Sequence, residues 1–319
     1  MTTPPFLGQY RLLIVVTLRA LERGAGGESV KRGSVQGRLR VHGRLMSFAP
    51  TAAARLAVTA VLATLGFPYS GTAEVVQGAP GSAAEFVFAR LRYDSEGSNG
   101  KAWYHYRGRI WERWETDYPE GDENFAHRLA QLTSVIPAAH GVARRLTDAD
   151  IFDFPFLYLC DPAYMRMTAE EKTLLREYLR SGGFLWVDDF WGEAEWWNFE
   201  REMAGVLPER GWRDIPADHP ILHTVFELEG APQIPSHDFA VSGWKTDLAW
   251  KHRAPATKLT PVNFRGYFDE HDRLMVVATH NTDIGDGFER EAYGERYFET
   301  YSTQAYKIGV NIVVYALTH

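Results

Sequence analysis

Gly182-Gly183-Phe184-Leu185-Trp186-Val187-Asp188-Asp189-Phe190-Trp191-Gly192 is the stretch that decides the fold. Phe184–Val187 is a short uninterrupted apolar run, the pattern of a strand rather than of a half-exposed helix. A strong helix signature precedes it. Thr168 offers an N-cap, Glu171 completes a capping box, and Leu174, Leu175, Tyr178 and Leu179 make one apolar face. Gly182-Gly183 then stops the helix. A helix running straight into a buried strand is half of a parallel crossover unit.

The same alternation extends in both directions. Phe86–Leu91, Phe154–Leu159 and Leu274–Ala278 read as further strands. Helices are predicted at 122–134, on the stripe Phe125, Leu129 and Leu132, and over Glu193–Ala204. Another is predicted at 302–317, where Ala305, Ile308, Ile312, Val313 and Ala316 recur at helical spacing. Buried strands alternating with helices predict an α/β domain with a mostly parallel sheet covered on both faces. Such sheets take ligands at the carboxyl ends of their strands, near a switch in strand order. The residues delivered there are Arg92-Tyr93-Asp94, Cys160-Asp161, Asp188-Asp189 and His280-Asn281.

The chain's charge divides it in two. Residues 1–45 hold eight Lys/Arg against two acids, residues 74–319 hold 25 against 39, and all ten tryptophans follow residue 100. The acidic part lacks the clustered cations that a nucleic-acid backbone requires. Arg55, the apolar run 56–65 and the small residues Gly71-Thr72-Ala73 have the order of a signal peptide beginning at Met46. The expected organisation is therefore an upstream extension at 1–45, a leader at 46–73 and a linker at 74–84. An exported α/β domain at 85–319, periplasmic or extracellular, follows, with no transmembrane helix in the mature protein. A single cysteine, Cys160, excludes an internal disulfide.

Several constellations carry possible chemistry. Asp188 and Asp189 alternate in direction, so one is expected to face a crevice as base, metal ligand or hydrogen-bond anchor, and Trp191 adds an aromatic beside them. His280 is a candidate base. The run Asn281-Thr282-Asp283-Ile284-Gly285-Asp286-Gly287 suits a cation or an ordinary Asx turn, without the Glu that closes an EF-hand loop. His219 and His223 stand four apart, but Pro220 makes the segment a turn rather than a zinc-binding helix. Cys160 has no small neighbours for a nucleophile elbow, and no G-x-S-x-G, Walker A or G-x-G-x-x-G run occurs. Between 103 and 118, Trp103, Tyr104, Tyr106, Trp111, Trp114 and Tyr118 interleave with Arg107, Arg109 and Arg113. That segment reads either as a hairpin covering a sheet edge or as a platform for sugars or a protein partner.

Three segments together resemble a known family: Asp117-Tyr118-Pro119-Glu120-Gly121-Asp122-Glu123-Asn124-Phe125, the stretch quoted at the outset, and Tyr306-Lys307-Ile308-Gly309-Val310-Asn311. They resemble the bacterial family called domain of unknown function 4159, over about Phe86 to His319. The resemblance implies a flavodoxin-like, class I glutamine-amidotransferase-like three-layer sandwich, related to ThuA-like proteins; Asp218-His219-Pro220-Ile221 resembles a ThuA-like turn. Carried onto this chain, the amidotransferase nucleophile falls on Asp188 and the catalytic histidine near His280, with Thr282 where an acid is expected. A carboxylate cannot form the thioester intermediate, so the resemblance implies no glutaminase activity.

The expected function is thus binding of a small molecule, a glycan or an envelope partner. Arg92, Tyr93, Asp94, Asp161, Trp191, Asn281, Asp283, Trp111 and Trp114 are the candidate binding residues. No metal ligand is assigned. Two rivals stand: a hydrolase, with or without a metal, using Asp188 or Asp189 with His280, and a structural component of an envelope assembly.

Overall fold

Five short strands lie parallel in one sheet. The computed structural model describes residues 86–98, 100–242 and 261–319. The expected extension, leader and linker at 1–84 lie outside the described residues. In chain order the strands are β1 (Ala89–Leu91), β2 (Asp94–Ser95), β3 (Trp103–Tyr106), β4 (Arg109–Glu112), β5 (Val142–Arg144) and β6 (Phe156–Cys160). They continue as β7 (Met165–Arg166), β8 (Phe184–Phe190), β9 (Arg213–Asp214), β10 (Asn263–Phe268) and β11 (Leu274–His280). Seven of them form one sheet in the order β5-β1-β6-β8-β11-β10-β9. β5, β1, β6, β8 and β11 pair in parallel, whereas β10 pairs antiparallel with both β11 and β9. Counted along the chain, the parallel strands stand in the order 2-1-3-4-5, and the order reverses between β1 and β6. β2 pairs with β7, and β3 with β4, as two small ribbons.

The helices are α1 (Glu120–Leu132), α2 (Ala169–Arg180), α3 (Gly192–Val206), α4 (His237–Val241), α5 (Ile284–Glu289), α6 (Glu295–Tyr297) and α7 (Thr303–Thr318). The Thr168–Glu171 capping box forms as read, Glu171 N donating to Thr168 Oγ1. Each face of the sheet has its own core. On one, Tyr158, Trp186 and Val277 pack with Phe125 and Leu129 of α1, Phe288 of α5 and Ile308, Ile312 and Val313 of α7. On the other, Leu157, Leu185 and Val187 pack with Leu175 and Leu179 of α2 and Phe199 and Met203 of α3. Every residue of β6, β8 and β11 is buried, which is why Phe156–Cys160, Phe184–Val187 and Leu274–Ala278 are continuous apolar runs rather than alternating ones.

Two expectations need correction. The strand at 86–91 pairs only over Ala89–Leu91, with Phe86 making an isolated bridge to Pro137. Asp188 and Asp189 do not follow their strand but lie inside β8, which runs on to Phe190. Asp189 has a left-handed backbone, φ 54°, and the β8–β11 register shifts at the level of Ala278 and His280. The irregularity restarts the alternation, so Phe190 joins the α2–α3 face. Among the described residues, no helix is long and apolar enough to cross a membrane.

Candidate functional site

Three neighbouring strands end in the same backbone device. Asp161 after β6, Asp189 near the end of β8 and Asn281 after β11 all have positive φ, at 48°, 54° and 66°. Asp and Asn tolerate this region better than other side chains, and it still costs about 1–3 kcal/mol per residue, so the fold must hold each one. Arg113 Nη1 donates to Asp161 Oδ2 at 2.5 Å, and Trp191 Nε1 donates to Asp189 Oδ1 at 3.0 Å. Asn281 accepts from Gly192 N and donates to Pro261 O, pinning the β11 turn to the start of α3. Tyr93 closes the β1–β6 side, its hydroxyl donating to the Cys160 and Asp161 carbonyls at 2.7 and 2.6 Å.

Asp188 is fully buried on the α1–α7 face. Its Oδ2 accepts from Tyr158 Oη at 3.0 Å and Gly285 N at 2.9 Å, and its Oδ1 from Thr279 Oγ1 at 2.6 Å. Burial pushes its carboxyl up to about 6, while the Thr279, Gly285 and Tyr158 donors pull the other way. His280 occupies the opposite face. Its ring packs on Phe190 and Trp196, with centroids 4.8 and 5.1 Å apart. Nε2 lies 3.0 Å from Gly192 O and Nδ1 2.9 Å from Asn263 Nδ2. The structure therefore does not bring Asp188 and His280 together.

A different set of carboxylates converges. Arg90 is buried in a bidentate pair with Asp122 of α1, Nε–Oδ2 3.1 Å and Nη2–Oδ1 2.5 Å. Its Nη1 also donates to the Trp114 and Thr116 carbonyls, which positions the loop carrying Asp117. Asp286 and Glu289 stand three apart on α5 and so share a face. One carboxylate oxygen each from Asp117, Asp286 and Glu289 lies within 4.8 Å of the other two. Burial, then Glu289 and Asp286, hold Asp117 well above the ordinary carboxylate range. Burial and the charge on Asp286 push Glu289 up to about 7, and burial raises Asp286 against the pull of Arg290. The three carboxyls cannot all ionise freely at neutral pH, as expected of acids crowded in a low dielectric.

One arginine serves this group. Arg290 Nε lies 3.3 Å from Asp286 Oδ1, and its Nη2 lies 2.7 Å from Glu289 Oε2. The β3–β4 ribbon forms a rim beside it. Arg290 Nη2 donates to Tyr106 Oη at 3.4 Å, and Arg107 Nη2 to Tyr293 Oη at 3.2 Å. The Arg109 guanidinium stacks on Trp111, 3.3 Å from the ring centroid.

Residues 87–317 match the family described as Domain of unknown function (DUF4159). The chain belongs to that family. None of the curated proteins matches it.

Within this DUF4159 domain the remaining predicted residues divide by burial. Asp161, Asp189 and Tyr93 gather at the strand ends and are buried, whereas Trp111 stands on the half-exposed rim. Trp191 is fully buried and serves Asp189, and Asn281 is a latch. Asp283 caps α5 by accepting from Asp286 N at 2.8 Å. Trp114, read as part of a platform, is 7% exposed and belongs to the α2–α3 core, because its ring fills the space beside Tyr118 under Arg92. Arg92 pairs loosely with Glu112 at 3.4 Å, and Asp94 is an exposed partner of Arg145. Cys160 is buried, and burial pushes its thiol far from reactivity. His219 caps the 3-10 turn Pro220–Leu222, so it and His223 do not share a helix.

Sequence reasoning does not single out Asp117 or Glu289, and it reaches Asp286 only within the Asp283–Gly287 run that suits a cation or an Asx turn. The Asp286-x-x-Glu289 spacing is a further local signal, but α5 is too short for periodicity to mark it as a helix.

Proposed function

We propose that this is an exported, flavodoxin-like domain of the amidotransferase-like group that binds glycan at the carboxyl edge of its sheet and performs no amidotransferase chemistry. The observation that carries the reading is the state of Asp188. The residue at the nucleophile's place is buried, and three donors occupy its two oxygens, so no group is poised to attack an amide. The 2-1-3-4-5 order of parallel strands supports the flavodoxin-like assignment, and the leader at 46–73 supports export.

Glycan follows from the chemistry of the rim. Sugars are recognised by carboxylates that accept from hydroxyls and by aromatic faces that cover C–H surfaces. Tyr106, Trp111 and Tyr293 stand at the rim formed by the β3–β4 ribbon and the α5–α6 segment, with the Arg109 guanidinium beside them. Hydrolysis by an Asp188–His280 pair is not proposed, since the two lie on opposite faces.

Co-sedimentation with insoluble cell-wall glycan tests the reading. The full chain should enter the pellet, and Trp111→Ala should remain in the supernatant. Ammonia release from glutamine should match the no-enzyme rate. The reading fails if the chain does not pellet, or if it releases ammonia at a rate that Asp188→Asn abolishes.

A further inference from the structure

We propose that Asp117, Asp286 and Glu289 bind a divalent cation of calcium's size. This goes beyond glycan recognition and does not depend on it. Ca2+ takes oxygen ligands at about 2.3–2.6 Å, so two oxygens across one ion stand at most about 5 Å apart. The three carboxylate oxygens here lie within 4.8 Å of one another, on two segments separated by most of the domain.

An independent observation points to a ligand. Asp117 is 8% exposed, and its Oδ2 is buried with no hydrogen-bond donor. That oxygen presses on Gly285, where a Cβ would stand 2.4 Å from it, so it is directed at the turn of α5 that carries Asp286. A buried carboxylate oxygen left without a donor costs about 1–3 kcal/mol or more. Glu289 Oε2 is buried without an aligned donor as well, although Arg290 is near. Asp286, by contrast, is held firmly, its Oδ2 accepting from His237 N at 2.5 Å and Tyr297 Oη at 3.2 Å. Among the described residues, Arg290 is the guanidinium paired with members of this group. A dication gives Asp117 Oδ2 the partner it lacks and stabilises the charged form of all three carboxylates.

Calorimetric titration of the chelator-treated full chain with CaCl2, at ionic strength matched with NaCl, tests the site. One ion per chain should bind, and saturating Ca2+ should raise the melting temperature by several degrees. Asp117→Asn should weaken binding about tenfold or more while leaving the metal-free melting temperature unchanged or higher, because it removes repulsion. Glu289→Gln should show the same pattern and gives a second reading if Asp117→Asn does not fold. Absence of Ca2+ binding at millimolar concentration overturns the proposal. So does binding that neither variant weakens, which would place the ion elsewhere.

Discussion

Asp188, two residues before the end of β8, and His280, the last residue of the neighbouring β11, project from opposite faces of the sheet. Asp188 takes a hydrogen bond from Thr279 Oγ1 at 2.6 Å, and His280, one residue further along β11, packs on Phe190 and Trp196. Alternation along β11 alone separates them. They are two structural side chains serving two cores.

The buried charge of Asp188 has a pH signature. Burial raises its carboxyl to about 6 from 3.8, so the folded state binds the proton more tightly than the unfolded state. That stabilisation is complete below about pH 4 and is lost as pH rises through 6, a difference of about 3 kcal/mol. Asp188→Asn can keep the network, its carbonyl toward Tyr158 and Gly285 and its amide toward Thr279. Thermal melts should show the variant gaining on the wild type between pH 4 and pH 8. A gap that does not change with pH would contradict the burial argument.

Arg90 and Asp122 should be strongly coupled. Each is about 1% exposed, and removing either leaves the other charge buried alone. Arg90→Met or Asp122→Leu should cost about 3–5 kcal/mol in urea unfolding. The double variant should cost well under the sum. Simple additivity would show that the pair does not act as a unit.

Gly285→Ala tests the packing of Asp117. In an open helix the change would stabilise by about 0.5–1 kcal/mol. Here the new Cβ meets Asp117 Oδ2 at 2.4 Å and Tyr158 Oη at 2.8 Å, and the expected result is a loss of about 1–3 kcal/mol. A stabilised variant would mean that Asp117 does not lie against α5.

Trp111 and Trp114 should separate stability from binding. Trp114 is core, and Trp114→Ala should lower stability by about 3–5 kcal/mol. Trp111 is half-buried on the rim, and Trp111→Ala should cost about 1 kcal/mol. Equal losses in chemical denaturation would remove the distinction.

The fold was legible where one interaction dominates. Phe156–Cys160 and Phe184–Val187 are buried on both faces, so the apolar run itself marks the strand, and Thr168 with Glu171 marks the start of α2 by local hydrogen bonds. The site was legible only in part. Strand-end logic found Asp161 and Asp189, but nothing local reveals that Asp189 is left-handed and resets the alternation of β8. Trp114 and Trp111 look alike in a period-2 pattern, and only the docking of the ribbon decides which is buried. Asp117 meets Asp286 from far along the chain, through a loop that Arg90 holds by two carbonyls. Such a contact is tertiary and leaves no mark in either segment alone.

Calorimetric titration of the full chain with soluble cell-wall glycan fragments tests the binding account most directly. The account predicts saturable binding of the wild type, weakened about tenfold or more by Trp111→Ala and by Tyr106→Ala while both variants keep their fold. Absence of binding by the wild type at millimolar glycan, or full affinity in both variants, would contradict it.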